Sequence, residues 1–109
     1  MRKSYIGELE EVVLLTVAIL QDKAYGVAIT KYIDTNLDRK LSISAVHATL
    51  HRLSGKGFVD SQIGGATSER GGRRKRFFKV TSAGSRILHE IQDTRSLLWG
   101  HIPPNALTT

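Results

Sequence analysis

The chain contains no cysteine. This excludes disulfides, thiolate metal sites and cysteine nucleophiles, and the reducing cytoplasm is the natural setting. Long apolar runs are also missing. The longest, Val12 to Leu20, is nine residues broken by Thr16, whereas a bilayer span needs roughly 20, so it is expected to be a buried helix and no membrane partner is expected. Asp22 and Lys23 follow it in place of a small-residue cleavage site, unlike a secretory leader. The only prolines, Pro103 and Pro104, open a tail (101–109) expected to be disordered. No glycine-rich phosphate loop with a lysine, no histidine–glutamate zinc motif and no serine elbow is present, so no enzyme and no cofactor is expected. Asp60 and Glu69 would lack fixed positions on a hairpin. One segment, Arg70 to Lys79, has no acid at all.

That segment holds six of the sixteen basic side chains; the other ten balance ten acids, so the whole formal charge of +6 resides there. A concentrated positive patch on an otherwise neutral body is what a phosphate backbone attracts. At 109 residues, 40% apolar and 24% charged, the chain is one ordinary globular domain with a small core, easier to complete if a second subunit buries more apolar surface.

The periodicity predicts four helices and a hairpin. The first helix runs from Gly7 or Glu8 to about Gln21, with Leu9, Val12, Val13, Val17 and Leu20 at three- and four-residue steps. Leu14, Leu15, Ala18 and Ile19 cover much of the remaining circumference, which points to burial on more than one side and to a partner subunit. A second helix spans about Gly26 to Asn36. A third, capped by Ser42 or Ser44 and stopped by Gly55 and Gly57, carries the stripe Ile43, Val46, Leu50, Leu53. Its other side holds Ser44, Ala45, His47, Ala48, Thr49, His51, Arg52 and Lys56, small or hydrogen-bonding and never acidic. Phe58 to Ile63 and Arg73 to Thr81 alternate as strands around a loop with four glycines, Gly64 to Gly72. Phe78 and Val80 are expected to face the core and Phe77 to shield the hairpin base. Tyr25 is expected to pack at the start of the second helix. A last helix, capped by Thr81 or Ser82 and ending near Gly100, places Ile87, Leu88, Ile91, Leu98 and Trp99 on its apolar side.

The order helix, helix, helix, strand, strand, helix defines a mainly α winged helix-turn-helix fold. The third helix would enter a major groove of double-stranded DNA while hairpin cations reach adjacent phosphates or a minor groove. Candidate contacts are Ser44, His47, Thr49, His51, Arg52 and Lys56 on the helix, and Arg73, Arg74, Lys75 and Arg76 on the hairpin. His47 and His51 also have a spacing that can ligate metal, but no carboxylate in the same helix completes a site, so no metal is expected. Residues 1–81 form the DNA-binding unit and 82–100 the last helix.

Gly7-Glu8-Leu9-Glu10-Glu11, Ala24-Tyr25-Gly26, Ser44 to Leu53, Lys56-Gly57-Phe58-Val59 and Gly72 to Gly84 together resemble the PadR-like family of bacterial transcription regulators over roughly residues 5 to 95. With one terminal helix, the chain is similar to the compact subfamily. The resemblance implies a homodimer in which the first and last helices (Leu9, Val13, Ile87, Leu88, Ile91, Leu98, Trp99) pack across a two-fold axis. It also implies repression of a nearby gene, relieved by a small-molecule effector or a stress signal. Trp99 is expected in packing, with an effector pocket as the second reading. Two departures stand out: His47 and Ala48 occupy the places of the family's usual tyrosine–proline pair, and the helix after the hairpin is short. The rival functions are a winged-helix module that docks an acidic protein and a non-specific nucleic-acid-binding protein.

Overall fold

The computed structural model describes residues 5–64 and 75–107. Its elements are α1 (Glu8–Leu20), a 3₁₀ turn (Gln21–Lys23), α2 (Gly26–Leu37), α3 (Ile43–Gly55), β1 (Val59–Ile63), β2 (Arg76–Val80) and α4 (Ser82–His101). The described residues thus form a mostly helical winged helix-turn-helix with one small antiparallel hairpin.

Local chemistry sets the boundaries. Gly7 precedes α1, and its amide donates to Oε1 of Glu10 at 2.7 Å, half of a capping box, since glycine has no oxygen to return. α1 stops at Gln21, whose backbone adopts φ 53° and ψ −118°, a conformation costly for a residue with a Cβ. Ser42 caps α3 by accepting from the Ala45 amide at 3.0 Å. Gly57, at φ 81°, turns the chain out of α3. Thr81 caps α4 by accepting from the Gly84 amide at 3.0 Å, and its hydroxyl donates to the Gly57 carbonyl at 2.7 Å. One side chain therefore ties the end of the recognition unit to the last helix.

The first strand begins one residue later than the alternation predicts. The Phe58 amide donates to the Leu53 carbonyl and its carbonyl accepts from Thr81, so it closes the junction rather than pairing in the ladder. Within the ladder Val59 pairs Val80, Ser61 pairs Phe78 and Ile63 pairs Arg76. These pairs share the face toward α3; Asp60, Gln62, Phe77 and Lys79 lie on the other. β2 is held on its second edge as well: the Phe78 amide donates to the Ala24 carbonyl at 2.9 Å, and Tyr25 bridges Phe77. The wing is thereby bonded to the turn that opens α2.

The core gathers Val13, Leu14 and Val17 from α1, Ile29 and Ile33 from α2, and Val46, Leu50 and Leu53 from α3. Phe58, Val59, Phe78 and Ile87 close it from the wing and α4. Each aliphatic side chain sealed this way contributes about 1.5–3 kcal/mol. Gly84 lets α4 lie directly on the wing root, since a Cβ there would stand 2.3 Å from the Phe58 carbonyl oxygen. Every residue of α4 from 92 to 101 is exposed; Arg95 still pairs with Glu11 of α1 at 3.3 Å, and the helix leaves the body beyond it. The tail after it carries a turn in which the Ala106 amide donates to Pro103 at 3.1 Å. No helix among the described residues is long and apolar enough to cross a membrane.

Candidate nucleic-acid interface

α3 has three sides. Val46, Leu50 and Leu53 are in the core. Ser44, His47, Ala48 and His51, at i, i+3, i+4 and i+7, form an exposed front with no acid on it. A third row, Ala45, Thr49, Arg52 and Lys56, turns toward α1.

That third row revises the expected contact set. Thr49 has no exposed surface. Its hydroxyl donates to the Ala45 carbonyl at 2.8 Å and accepts from Arg52 Nη2 at 3.2 Å, so it cannot touch a base. Lys56 Nζ donates to both oxygens of Glu10, at 3.0 and 3.1 Å, and to the Tyr5 carbonyl. Arg52 Nε lies 3.4 Å from the same carboxylate. Burial of Glu10 works against its charge, but the Gly7 amide, Lys56 and Arg52 outweigh it and hold the carboxyl below its ordinary range. Arg52 and Lys56, both exposed at the surface, thus pair with the buried Glu10 in an ion cluster that fastens the end of α3 to the start of α1. The signal was the second i, i+4, i+7 row, opposite an acid in the first turn of α1.

The wing presents its cations differently. Lys75 Nζ lies 4.1 Å from the centroid of the Tyr25 ring, a cation–π contact. Tyr25 meets Phe77 edge to face, with centroids 5.5 Å apart. Phe77 in turn presses on Gly64, where a Cβ would lie 2.3 Å from the ring. Tyr25 and Phe77 therefore clamp the wing to the N-terminus of α2 and aim Lys75. Arg76 points from the opposite face, where Nη1 donates to Ser61 Oγ at 3.1 Å. Arg73 and Arg74 lie outside the described residues. His47 is held against α2: a Cβ on Gly26 would stand 2.7 Å from its Cε1 and Nε2. Among the described residues no third metal-ligating side chain joins His47 and His51.

The expected dimer residues divide. Val13 and Ile87 are sealed inside the chain's own core and are unavailable to a partner. Leu9, Leu88 and Ile91 are half-buried against that core. Leu98 and Trp99 are exposed, 59% and 66%, as are Leu15 and Ile19, which the apolar circumference of the first helix assigns to a covering partner, and Leu97 on α4, which was not singled out beforehand.

An exposed, acid-free recognition helix beside a cationic wing defines a winged-helix DNA-binding regulator. The family model described as the transcriptional regulator PadR-like family matches residues 14–90, and the chain belongs to that family, whose members are regulators and not enzymes. None of the curated proteins matches it. Among solved structures it is similar to a PadR family transcription regulator from Clostridium difficile, at 22% identity over 82% of this chain and 91% of that one, with a TM-score of 0.61. A PadR-like transcription factor from Bacteroides fragilis superposes with a TM-score of 0.67 at 19% identity, covering 83% of this chain and 82% of that one. Bacillus subtilis PadR in complex with operator DNA matches with a TM-score of 0.62 at 22% identity, over 94% of this chain and 53% of that one.

Proposed function

We propose that the protein is a homodimeric, sequence-specific transcriptional repressor. The observation that carries the reading is the exposed front of α3, Ser44, His47, Ala48 and His51, set beside the wing cations. Small side chains between two imidazoles let the helix approach base edges, and the imidazole and hydroxyl groups donate to bases. Lys75, Arg76 and the sequence-assigned Arg73 and Arg74 supply phosphate contacts. The exposed apolar residues Leu15, Ile19, Leu97, Leu98 and Trp99 supply the face that a second copy covers.

Two-fold symmetry then calls for a pseudo-palindromic operator with half-sites about one helical turn apart. An apolar effector held near Trp99 between the two α4 helices would act by changing the spacing of the recognition helices, through affinity that differs between two states. Selection of bound fragments from genomic DNA, followed by footprinting, tests the proposal. A short protected palindrome upstream of a gene supports it. Diffuse protection, or none in dilute buffer, overturns it.

A further inference from the structure

Between the front of α3 and the inner face of the wing lies a notch of about 250 Å³. His47, His51 and Ser54 line it from the helix, Ser61 and Arg76 from the hairpin, over a floor of Leu50 and Phe78. Every polar side chain around it can donate a hydrogen bond, and none is acidic. We infer that this notch seats one backbone phosphate of the bound duplex. The inference rests on the DNA-binding reading and names a contact within it.

Three observations support the assignment. The first is position. When a helix occupies a major groove and the adjoining wing reaches the neighbouring minor groove, the sugar-phosphate strand between those grooves passes over the seam between helix and wing. The notch is that seam. The second is preorganisation. Ser61 Oγ accepts from Arg76 Nη1 at 3.1 Å, which fixes the guanidinium on the helix-facing side and leaves its remaining N–H groups for an anion. Gly26, lacking a Cβ, leaves the His47 ring its place against α2. The third is size. A water in the liquid takes roughly 30 Å³, so the notch accommodates a phosphate group with some of its hydration.

The seat joins recognition helix and wing through one phosphate, and so fixes how deeply α3 enters the groove. Its polar residues come from elements far apart in sequence, so it exists only when the wing is docked. Arg52 and Lys56 take no part, because Glu10 holds them on another side of α3.

The test is a thermodynamic cycle on a duplex recovered by selection, with single phosphates replaced in turn by uncharged methylphosphonate. The wild-type chain, Arg76→Ala, Arg76→Gln and His51→Ala are titrated against each duplex, after melting curves confirm that the variants fold. At one backbone position per half-site, the replacement is expected to weaken wild-type binding about tenfold and binding by the variants by less than twofold. Arg76→Ala should also lower the magnitude of the salt slope by about 0.9 per subunit. If the wild type binds the duplex but every replacement costs the variants as much as it costs the wild type, no phosphate occupies the notch and the inference fails alone. If the wild type binds no duplex in dilute buffer, the DNA-binding reading falls with it.

Discussion

The carboxylate of Glu10, near the start of α1, holds the ammonium of Lys56, just past the end of α3, through both of its oxygens at 3.0 and 3.1 Å. Forty-six residues separate the two in sequence. The contact sets the position of the recognition helix against the helix that carries exposed Leu15 and Ile19. Glu10→Gln should therefore lower stability by about 1–2 kcal/mol, the range for a hydrogen bond to a charged group with one partner half exposed. The pH dependence follows in sign. The folded carboxyl titrates below its ordinary value of 4.5, so its contribution is complete above that value and is lost as pH falls through the folded value. Melting temperatures of the wild type and Glu10→Gln should differ near neutrality and converge as the pH falls below the ordinary carboxylate range. A gap that stays constant across this range would locate the stabilisation elsewhere.

The junction between α4 and the wing yields a second test. A Cβ on Gly84 would stand 2.3 Å from the Phe58 carbonyl oxygen and 3.1 Å from its carbonyl carbon. Both are backbone atoms and cannot swing aside. Gly84→Ala is expected to cost about 2–3 kcal/mol, the upper part of the range for overpacking, read as a shift in the urea midpoint. Gly26→Ala is a useful contrast. Its added methyl crowds the tip of the His47 side chain and otherwise makes an ordinary contact with Ile43 Cδ1 at 3.5 Å, so stability should change little while the notch loses its ordered imidazole.

Much of this architecture is legible locally. The stripe Val46, Leu50, Leu53 repeats at helical spacing, Ser42 and Thr81 precede their helices as hydroxyl caps, and Phe78 and Val80 alternate with lysine and phenylalanine. Periodicity identifies which residues are in a helix, and it marks the side of α3 that is most apolar. It does not rank the remaining sides, so Thr49 and Lys56 read as part of the DNA-facing front although Thr49 is buried and Lys56 is paired with Glu10 of α1. The Glu10 cluster and the Tyr25–Phe77 clamp join residues whose proximity only tertiary packing creates. Likewise, Val13 and Leu15 are both apolar positions of the first helix; only the placement of α2 and α3 decides that Val13 is interior and Leu15 exposed.

The clamp at the wing root carries its own expectation. Tyr25 supports Lys75 at 4.1 Å and Phe77 at 5.5 Å. Tyr25→Ala removes both contacts, and its cost should be about 1–3 kcal/mol, given that the ring is half-buried. Affinity for DNA should fall further than stability alone explains, because the wing loses the contact that aims Lys75. Tyr25→Phe keeps the ring and should preserve both properties. Amide exchange in β2 reports the difference: faster exchange at Phe78, whose amide bonds the Ala24 carbonyl, is expected for Tyr25→Ala and not for Tyr25→Phe.

The exposed end of α4 is where the proposed dimer is best tested. Leu97, Leu98 and Trp99 are each more than half exposed on consecutive positions of a helix that has left the body of its own chain. Three large apolar side chains in that setting mark a surface that a partner buries. Leu98→Asp places a charge where the second copy is expected, and sedimentation should show the wild type as a dimer and the variant as a monomer at micromolar concentration. Trp99, the chain's one tryptophan, reports the same event: its emission should shift to the red in Leu98→Asp as the indole becomes wet. The monomer retains its α1–α3 core, since Val13, Leu14 and Val17 are buried without help from a partner, so far-ultraviolet circular dichroism should change little. DNA affinity should nonetheless drop by more than tenfold, because each subunit then binds its half-site alone and the gain from linking two recognition helices is lost. A variant that stays dimeric would move the interface away from the end of α4, making exposed Leu15 and Ile19 of α1 the next positions to test.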